Sequence, residues 1–461
     1  MKLKQITKLL FVVFLAFTIG SCNEDTSTTT TSLDFSADAQ IYSFSLKAKA
    51  YSAIDSVTYP VLAKTRFSID QFRTHIYNPD SLPYKTSLKK FHATLAYASS
   101  TPSMVQLVYP NDSIVDWNSS DSIDFSTPSY PKFKITATNG TATKEYTVDI
   151  RIHQVDPDVL VWTEQSLKLP STVSKQKTLQ KDNIFYTFSI DTDNKFYLHK
   201  TTASLTSYEP KKAATGLTAS DVVLGSITLF NGQFFAIDKS NKGYVSGDGI
   251  EWTPESNEVY SILGVLPDYT TAEDSLLVIT KKDNKYYFAK SLDLKILKEV
   301  RELNNNEVNN MPVSDFSSTT SYDNTNLNRN ILSITGGKNF SGTLVNNTWS
   351  FQVDDSNVFR LTYNQENMVF AAKAGLVSFL YDGYLYALTG KQLYKSSSFG
   401  SRWVAAPQKE MLDPSMVNAH SQSVIVDSDN YIWIFGGVSD SGSTPVLQIW
   451  KGRLNKLNPK K

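Results

Sequence analysis

The chain has almost no cysteine. Cys22 stands alone among 461 residues, so no intrachain disulfide can form and the fold rests on core packing. It has no surplus of charge: 45 Lys and Arg balance 45 Asp and Glu, which provides no basic face for nucleic acid. It has 5 histidines, and His75, His92 and His153 show none of the spacings that metal sites use, such as i and i+4. No metal, cofactor or catalytic residue is therefore assigned, and the ligand-binding residues stay unknown at this level. After the leader, no run is long and apolar enough to span a bilayer.

What the chain does have is apolar residues in short pieces. Hydrophobic residues make up 41% and aromatics 12%, with 24 Tyr and 25 Phe, and Ser, Thr, Asn and Asp repeatedly separate them. That is the pattern of an all-β protein with many turns, and the length allows two or three domains.

Residues 1–21 read as a signal peptide: a basic start over Lys2, Lys4 and Lys8, then an apolar run from Leu9 to Ile19. Their removal leaves a net charge of about −3. The stretch ends Ile19-Gly20-Ser21-Cys22 and resembles the lipobox of bacterial lipoproteins, which implies lipidation of Cys22 and a membrane partner through that lipid. Residues 22–32 form a polar tether, Asn23-Glu24-Asp25 followed by Thr and Ser. It resembles the acidic export tag of Bacteroidetes lipoproteins, which implies the outer face of the outer membrane; a plain flexible tether fits the same residues.

Residues 33–158 alternate with period two, as in Ile41-Tyr42-Ser43-Phe44-Ser45-Leu46 and Tyr146-Thr147-Val148-Asp149-Ile150-Arg151-Ile152, and suit an immunoglobulin-like β-sandwich. Asn139-Gly140 is a hairpin turn. Trp117 is a packing residue before it is a ligand platform. The triplet Asp-Ser-aliphatic recurs at Ser56, Ser81, Ser113, Ser122 and Ser275. It resembles the O-glycosylation sequon of exported Bacteroidetes proteins; turn residues leading into strands explain it equally well.

Residues 159–461 read as a β-propeller. Asp193-Asn194-Lys195-Phe196-Tyr197 returns as Asp283-Asn284-Lys285-Tyr286-Tyr287, and Tyr197, Tyr244, Tyr287, Trp349, Tyr394 and Trp450 recur roughly 43 to 62 positions apart, the period of one propeller blade. Six positions imply six blades, with room for a divergent seventh. Residues 159–169 are expected to join the blade that ends near Leu457, closing the ring.

Ile334-Thr335-Gly336-Gly337 followed by Trp349, and Ile434-Phe435-Gly436-Gly437 followed by Trp450, resemble Kelch repeats, with glycines for close backbone approach and tryptophans between blades. Ser246, Asp248 and Trp252, and Ser396, Gly400 and Trp403, resemble the Asp-box of sialidase-type propellers, a structural turn. Asp191 to Asn194 and Asp427 to Asn430 fit hairpin turns better than calcium loops. Asn304 to Asn330 reads as a long rim insertion; Phe316 and Tyr322 are candidate contacts there, with surface-loop packing the favoured role of either one alone.

The chain as a whole resembles a group of Bacteroidetes surface lipoproteins with an immunoglobulin-like N-terminal domain and a Kelch-like, Asp-box-like propeller. The resemblance supplies no activity and implies an outer-membrane lipoprotein; the reading taken first is a non-catalytic cell-surface protein whose propeller binds a glycan or glycoprotein. The alternatives are a protein-interaction scaffold of an outer-membrane complex and a sialidase-like glycoside hydrolase. The last needs a clustered arginine site, and the propeller has five arginines, Arg301, Arg329, Arg360, Arg402 and Arg453, of which Arg402 and Arg453 fall in outer-strand signatures.

Overall fold

The structure, a computed structural model, describes residues 35–48, 61–62, 64–86, 88–89, 91–97, 101–125, 131–269, 274–322, 330–364, 369–442 and 444–458. Cys22, Ser56 and Arg329, with the leader and tether, lie outside the described residues. The chain divides into two units after Gln154.

The first unit is a two-sheet sandwich. Ile41–Ala48 pairs antiparallel with Phe91–Tyr97. The second sheet has the order Ser68–Asp70, His75–Tyr77, Thr143–Asp149, Lys132–Thr136, Met104–Val108, Ile114–Asp116, with one parallel pair, His75–Tyr77 on Thr143–Asp149. Alternation places Phe44, Phe91, Phe133, Ile135, Tyr146 and Val148 in one core. The Tyr146 hydroxyl, though buried, keeps its hydrogen bonds: it donates to Gln71 Oε1 at 2.7 Å and accepts from the Ile41 N–H. Trp117 packs edge-on against Phe133 at 5.2 Å, and Asn139-Gly140 forms the hairpin loop, with Asn139 Oδ1 accepting from the Thr141 and Ala142 N–H groups.

The second unit is a six-bladed β-propeller. Its inner strands are Val173–Lys181, Thr228–Phe230, Ser261–Leu266, Ser317–Ser321, Val377–Tyr381 and Ser423–Val426. Each touches the next, and the last returns to the first. Five apolar clusters join blades face to face; a sixth gathers residues of blade 5 and of the segment leading into it, and its Trp403 donates to Thr348 of blade 4. Burying an aromatic or aliphatic side chain contributes about 1.5–3 kcal/mol, so the stability is spread around the ring.

Leu160–Glu164 pairs with Ile449–Leu454 as the outer strand of the sixth blade, Trp162 opposite Gly452. The ring is thus closed by the first strand of the unit on the last blade, as the sequence implied. The Asp191–Asn194 and Asp427–Asn430 segments are hairpin turns: Asp191 and Asp427 accept from Asn194 and Asn430 N–H through their backbone carbonyls, and both asparagines have positive φ.

The reading of Asn304 to Asn330 as a rim insertion is corrected. Asn304 caps a short helix, Asn305–Asn310, in a reciprocal capping box with Glu307. Pro312–Ser314 then joins the fourth blade, and Ser317–Ser321 is that blade's channel strand. The strand Ser317-Ser318-Thr319-Thr320-Ser321 carries no apolar alternation because its hydroxyls serve the ring. The Ser378 N–H donates to Ser317 Oγ at 2.7 Å, and Thr320 Oγ1 donates to the Val265 carbonyl at 2.6 Å. The Thr178 N–H likewise donates to Ser423 Oγ at 2.8 Å. Hydroxyls from neighbouring blades therefore satisfy inner edges that would otherwise hang open. Phe316 packs against the cluster between blades 3 and 4, so it is a core residue.

Candidate functional site

The turns joining the third and outer strands organise one rim. In blade 2, Ser246 Oγ accepts from the Gly249 N–H at 2.9 Å, and Asp248 Oδ1 accepts from Ile250 and Glu251 N–H at 2.8 and 3.0 Å. These bonds more than offset the effect of burial and lower the Asp248 carboxyl below its ordinary value. Trp252 is buried in the cluster between blades 1 and 2. In blade 5, Ser396 Oγ accepts from Gly400 N–H at 2.9 Å, and Ser398 Oγ accepts from Arg402 N–H at 3.1 Å, with Trp403 buried on Phe370.

Blade 3 repeats the geometry without the signature. Ser291 Oγ accepts from Leu294 N–H at 2.9 Å, and Asp293 Oδ1 accepts from Lys295 and Ile296 N–H at 2.9 and 3.1 Å. Leu294 sits where blade 2 has glycine and no tryptophan follows, so the sequence motif is hidden. The retained signal is Ser-x-Asp after an aromatic strand.

Gly336 and Gly337 lie on the second strand of blade 4, Gly436 and Gly437 directly follow that of blade 6, and all four have positive φ. A Cβ at Gly337 would stand 2.6 Å from the Ser314 carbonyl oxygen, and one at Gly437 2.7 Å from that of His420. At Gly336 the space is ordinary, whereas at Gly436 a Cβ would meet Leu169 at 2.5 Å. Trp349 stacks on Tyr363 at 4.2 Å between blades 3 and 4, and Trp450 belongs to the cluster between blades 5 and 6.

The blade 3 turn borders a cleft of about 380 Å³ against blade 4. Leu266, Pro267, Asp268 and Ser275 supply one wall, Lys290, Ser291, Leu292, Asp293, Ile296 and Lys298 the second, and Val353 and Asn357 of blade 4 the third. Leu292 and Ile296 are 46% and 65% exposed. Lys290 and Lys298 are directly opposed across the sheet. Burial pushes the Lys290 ammonium down, and the charge of Asp268 only partly opposes this. One end of the cleft is braced: Asp274 Oδ1 accepts from the Asp268 N–H at 3.0 Å, and Asp274 Oδ2 accepts from the Tyr322 hydroxyl at 2.5 Å. Tyr322, 51% exposed, is raised above the usual phenol range by burial and by that bond.

Of the Asp-Ser-aliphatic serines, Ser113 and Ser122 are exposed and Ser81 and Ser275 half-buried. Each precedes or opens a strand or bridge, and Ser275 lines the cleft.

Two buried polar clusters had no sequence signal beyond residue type. In blade 1, Asp191 accepts from Ser189 at 2.6 Å, Thr172 at 2.7 Å and Lys211 at 2.7 Å, and His199 Nε2 lies 3.0 Å from Ser189 Oγ. Because that hydroxyl's proton is given to Asp191, the imidazole Nε2 donates. Between blades 5 and 6, Glu410 accepts from Tyr386 at 2.6 Å and from Lys395 at 2.8 Å. Tyr386 and Glu410 are both buried, and Tyr386 belongs to the apolar cluster between blades 5 and 6. Arg301 is a bidentate partner of Glu307 and Arg360 bonds Asp354. Among the described residues, no group of three or more His, Cys, Asp or Glu is placed to hold a metal ion.

These elements define a two-unit, all-β chain whose larger part is a β-propeller with a braced cleft between two blades. The chain belongs to the DUF6242 family: residues 156–461 match its beta propeller domain, and residues 44–150 match its N-terminal domain of unknown function. No curated protein matches the chain. Solved structures similar to it include that of YjhT, at 7% identity and a TM-score of 0.43, covering 61% of this chain and 95% of that one. A second is YCF48 bound to D1 peptide, at 15% and 0.33, covering 65% and 86%. A third is a luciferin-regenerating enzyme, at 12% and 0.37, covering 64% and 95%.

Proposed function

We propose that the chain is a non-catalytic binding protein, tethered by a lipid on Cys22 to the outer face of a bacterial outer membrane, and that its propeller holds a partner in the cleft between blades 3 and 4. The observation that carries this reading is the cleft itself: a braced concavity whose walls combine exposed aliphatic side chains with charged groups, on a rim built from rigid turns. Among the described residues of the propeller, the strongly exposed large apolar side chains are aliphatic except for Tyr322. Sugar faces favour aromatic platforms, so a protein partner fits this surface better than a glycan.

The test is a photo-cross-linking residue placed at position 292 on the intact lipoprotein in cells, with Val404, exposed on blade 5, as the control position. Cross-linked protein from position 292 alone supports the reading; cross-linked polysaccharide shifts it to glycan binding. Equal yields at both positions sink the cleft as the site. Cys22→Ser is expected to move the chain from the membrane to the soluble fraction.

One observation keeps a hydrolase in view, since Asp268 and Asp293 both line the cleft. Asp293 is committed to its turn by two backbone N–H bonds. Reducing sugar released by the purified chain and abolished by Asp268→Asn would establish the hydrolase instead.

A further inference from the structure

Lys290 and Lys298 occupy directly opposed positions on the third and outer strands of blade 3, and both side chains line the cleft. Opposed residues on antiparallel strands have Cβ atoms roughly 4.5–5.5 Å apart, and like charges there destabilise a sheet. Three other lysines on the same blade are matched by carboxylates: Lys282 with Glu299, Lys285 with Glu302 and Lys295 with Glu255. Among the described residues, neither Lys290 nor Lys298 forms a salt bridge or side-chain hydrogen bond. Burial disfavours the charge on Lys290 and the carboxylate of Asp268, on the same cleft wall, only partly offsets it, so the free protein keeps like charges at opposed strand positions at a net cost.

The adjoining surface is aliphatic, with Leu292 and Ile296 exposed and Leu266 and Val353 buried behind them. A ligand that repays the cost must bring an anion to the lysine pair and an apolar group beside it. An acidic residue flanked by aliphatic residues in an extended segment has that form. An acidic sugar brings the anion without the aliphatic neighbour.

We propose that the cleft between blades 3 and 4 receives an acidic segment of a protein partner, its carboxylate between Lys290 and Lys298 and its neighbouring aliphatic side chain on Leu292 and Ile296. This rests on the binding reading above and names the ligand's chemistry.

The experiment uses the purified chain and three probes, with binding followed by calorimetry. They are a blocked peptide with glutamate between leucines, the same peptide with glutamine in its place, and an oligogalacturonide. The expected result is binding of the glutamate peptide, weakened at least tenfold by Lys290→Met or Lys298→Met and by the glutamine exchange. The melting temperature of each free variant should equal or exceed that of the parent, because removing one charge relieves the pair; this separates lost binding from lost folding. Equal binding of the two peptides overturns the carboxylate while leaving the cleft as a binding site. Binding of the oligogalacturonide alone overturns the peptide. Silence with all three overturns both this inference and the reading beneath it.

Discussion

Leu294 in blade 3 holds the position that Gly249 holds in blade 2: each receives on its backbone N–H the acceptor of a turn serine, Ser291 or Ser246, and each has positive φ, 60° and 80° respectively. A left-handed backbone costs a non-glycine residue about 1–2 kcal/mol. Leu294 is fully buried between blades 2 and 3, and emptying such a site costs about 2–5 kcal/mol. Burial therefore outweighs strain. Leu294→Gly is expected to lower stability by about 1–3 kcal/mol and Leu294→Ala by somewhat more, since alanine keeps the strain. Denaturant unfolding of the two variants decides it; a stabilised Leu294→Gly would show the strain to be the larger quantity.

At the seam, Gly452 leaves room for the ring of Trp162, whose Cε3 would stand 2.4 Å from a Cβ added there. Gly452→Val should cost several kcal/mol, of the order of 3, and raise amide exchange first in residues 160–164. Adding Trp162→Ala should restore part of the loss. Strict additivity of the two changes would refute the contact.

The glycines of blade 4 offer an internal contrast. Gly337 and Gly342 both have positive φ, at 100° and 79°, but a Cβ at Gly342 meets nothing within 4 Å. Gly342→Ala should cost about 1 kcal/mol from backbone strain alone. Gly337→Ala must also push aside the Ser314 carbonyl and the Phe316 backbone, and should cost at least twice as much. Melting temperatures of the pair, compared with the parent, are sufficient.

Acid should weaken the propeller in two stages. Burial holds the His199 imidazole below its ordinary 6.5, against the pull of Asp191. The unfolded chain therefore takes up a proton first, and the His199 contribution is intact above pH 6.5 and lost as pH falls from there through the depressed value. Burial alone would raise Asp191, but its bonds from Lys211, Ser189 and Thr172 outweigh it and leave the carboxyl below its ordinary 3.8. Its contribution is present above pH 3.8 and lost as pH falls through the lowered value. Melting temperature against pH should show both stages, and His199→Gln should flatten the first while sparing the second. A profile unchanged by His199→Gln would remove the imidazole from the account.

Much of this architecture was legible because propeller strands repeat their burial. Tyr197, Tyr244, Tyr287, Trp349, Tyr394 and Trp450 all fall on third strands, so an aromatic recurring at blade spacing identified the ring, and the apolar start at Val159 identified its closure. What escaped was whatever departs from apolar alternation. Ser317–Ser321 reads as a loop because hydroxyl groups rather than methyl groups serve the channel. The Ser291–Ile296 turn lost its glycine and its tryptophan but kept its hydrogen bonds. Asp191 was legible as a turn residue and not as a buried anchor, because its partners Thr172, Ser189 and Lys211 are brought to it by pairing across the sheet. The cleft needs Val353 and Asn357 from the next blade, a juxtaposition that no local window contains.

The seam also sets an order of assembly. Gln448 donates to Glu164 across 284 positions, and a contact that distant in sequence forms late, after the intervening chain has given up its freedom. As the polypeptide emerges, Ile449–Leu454 arrives last and until then Leu160–Glu164 has no strand to join. Until that pairing the ring has an open edge at each end, and whatever shields those edges before closure determines how much of the protein reaches the closed form.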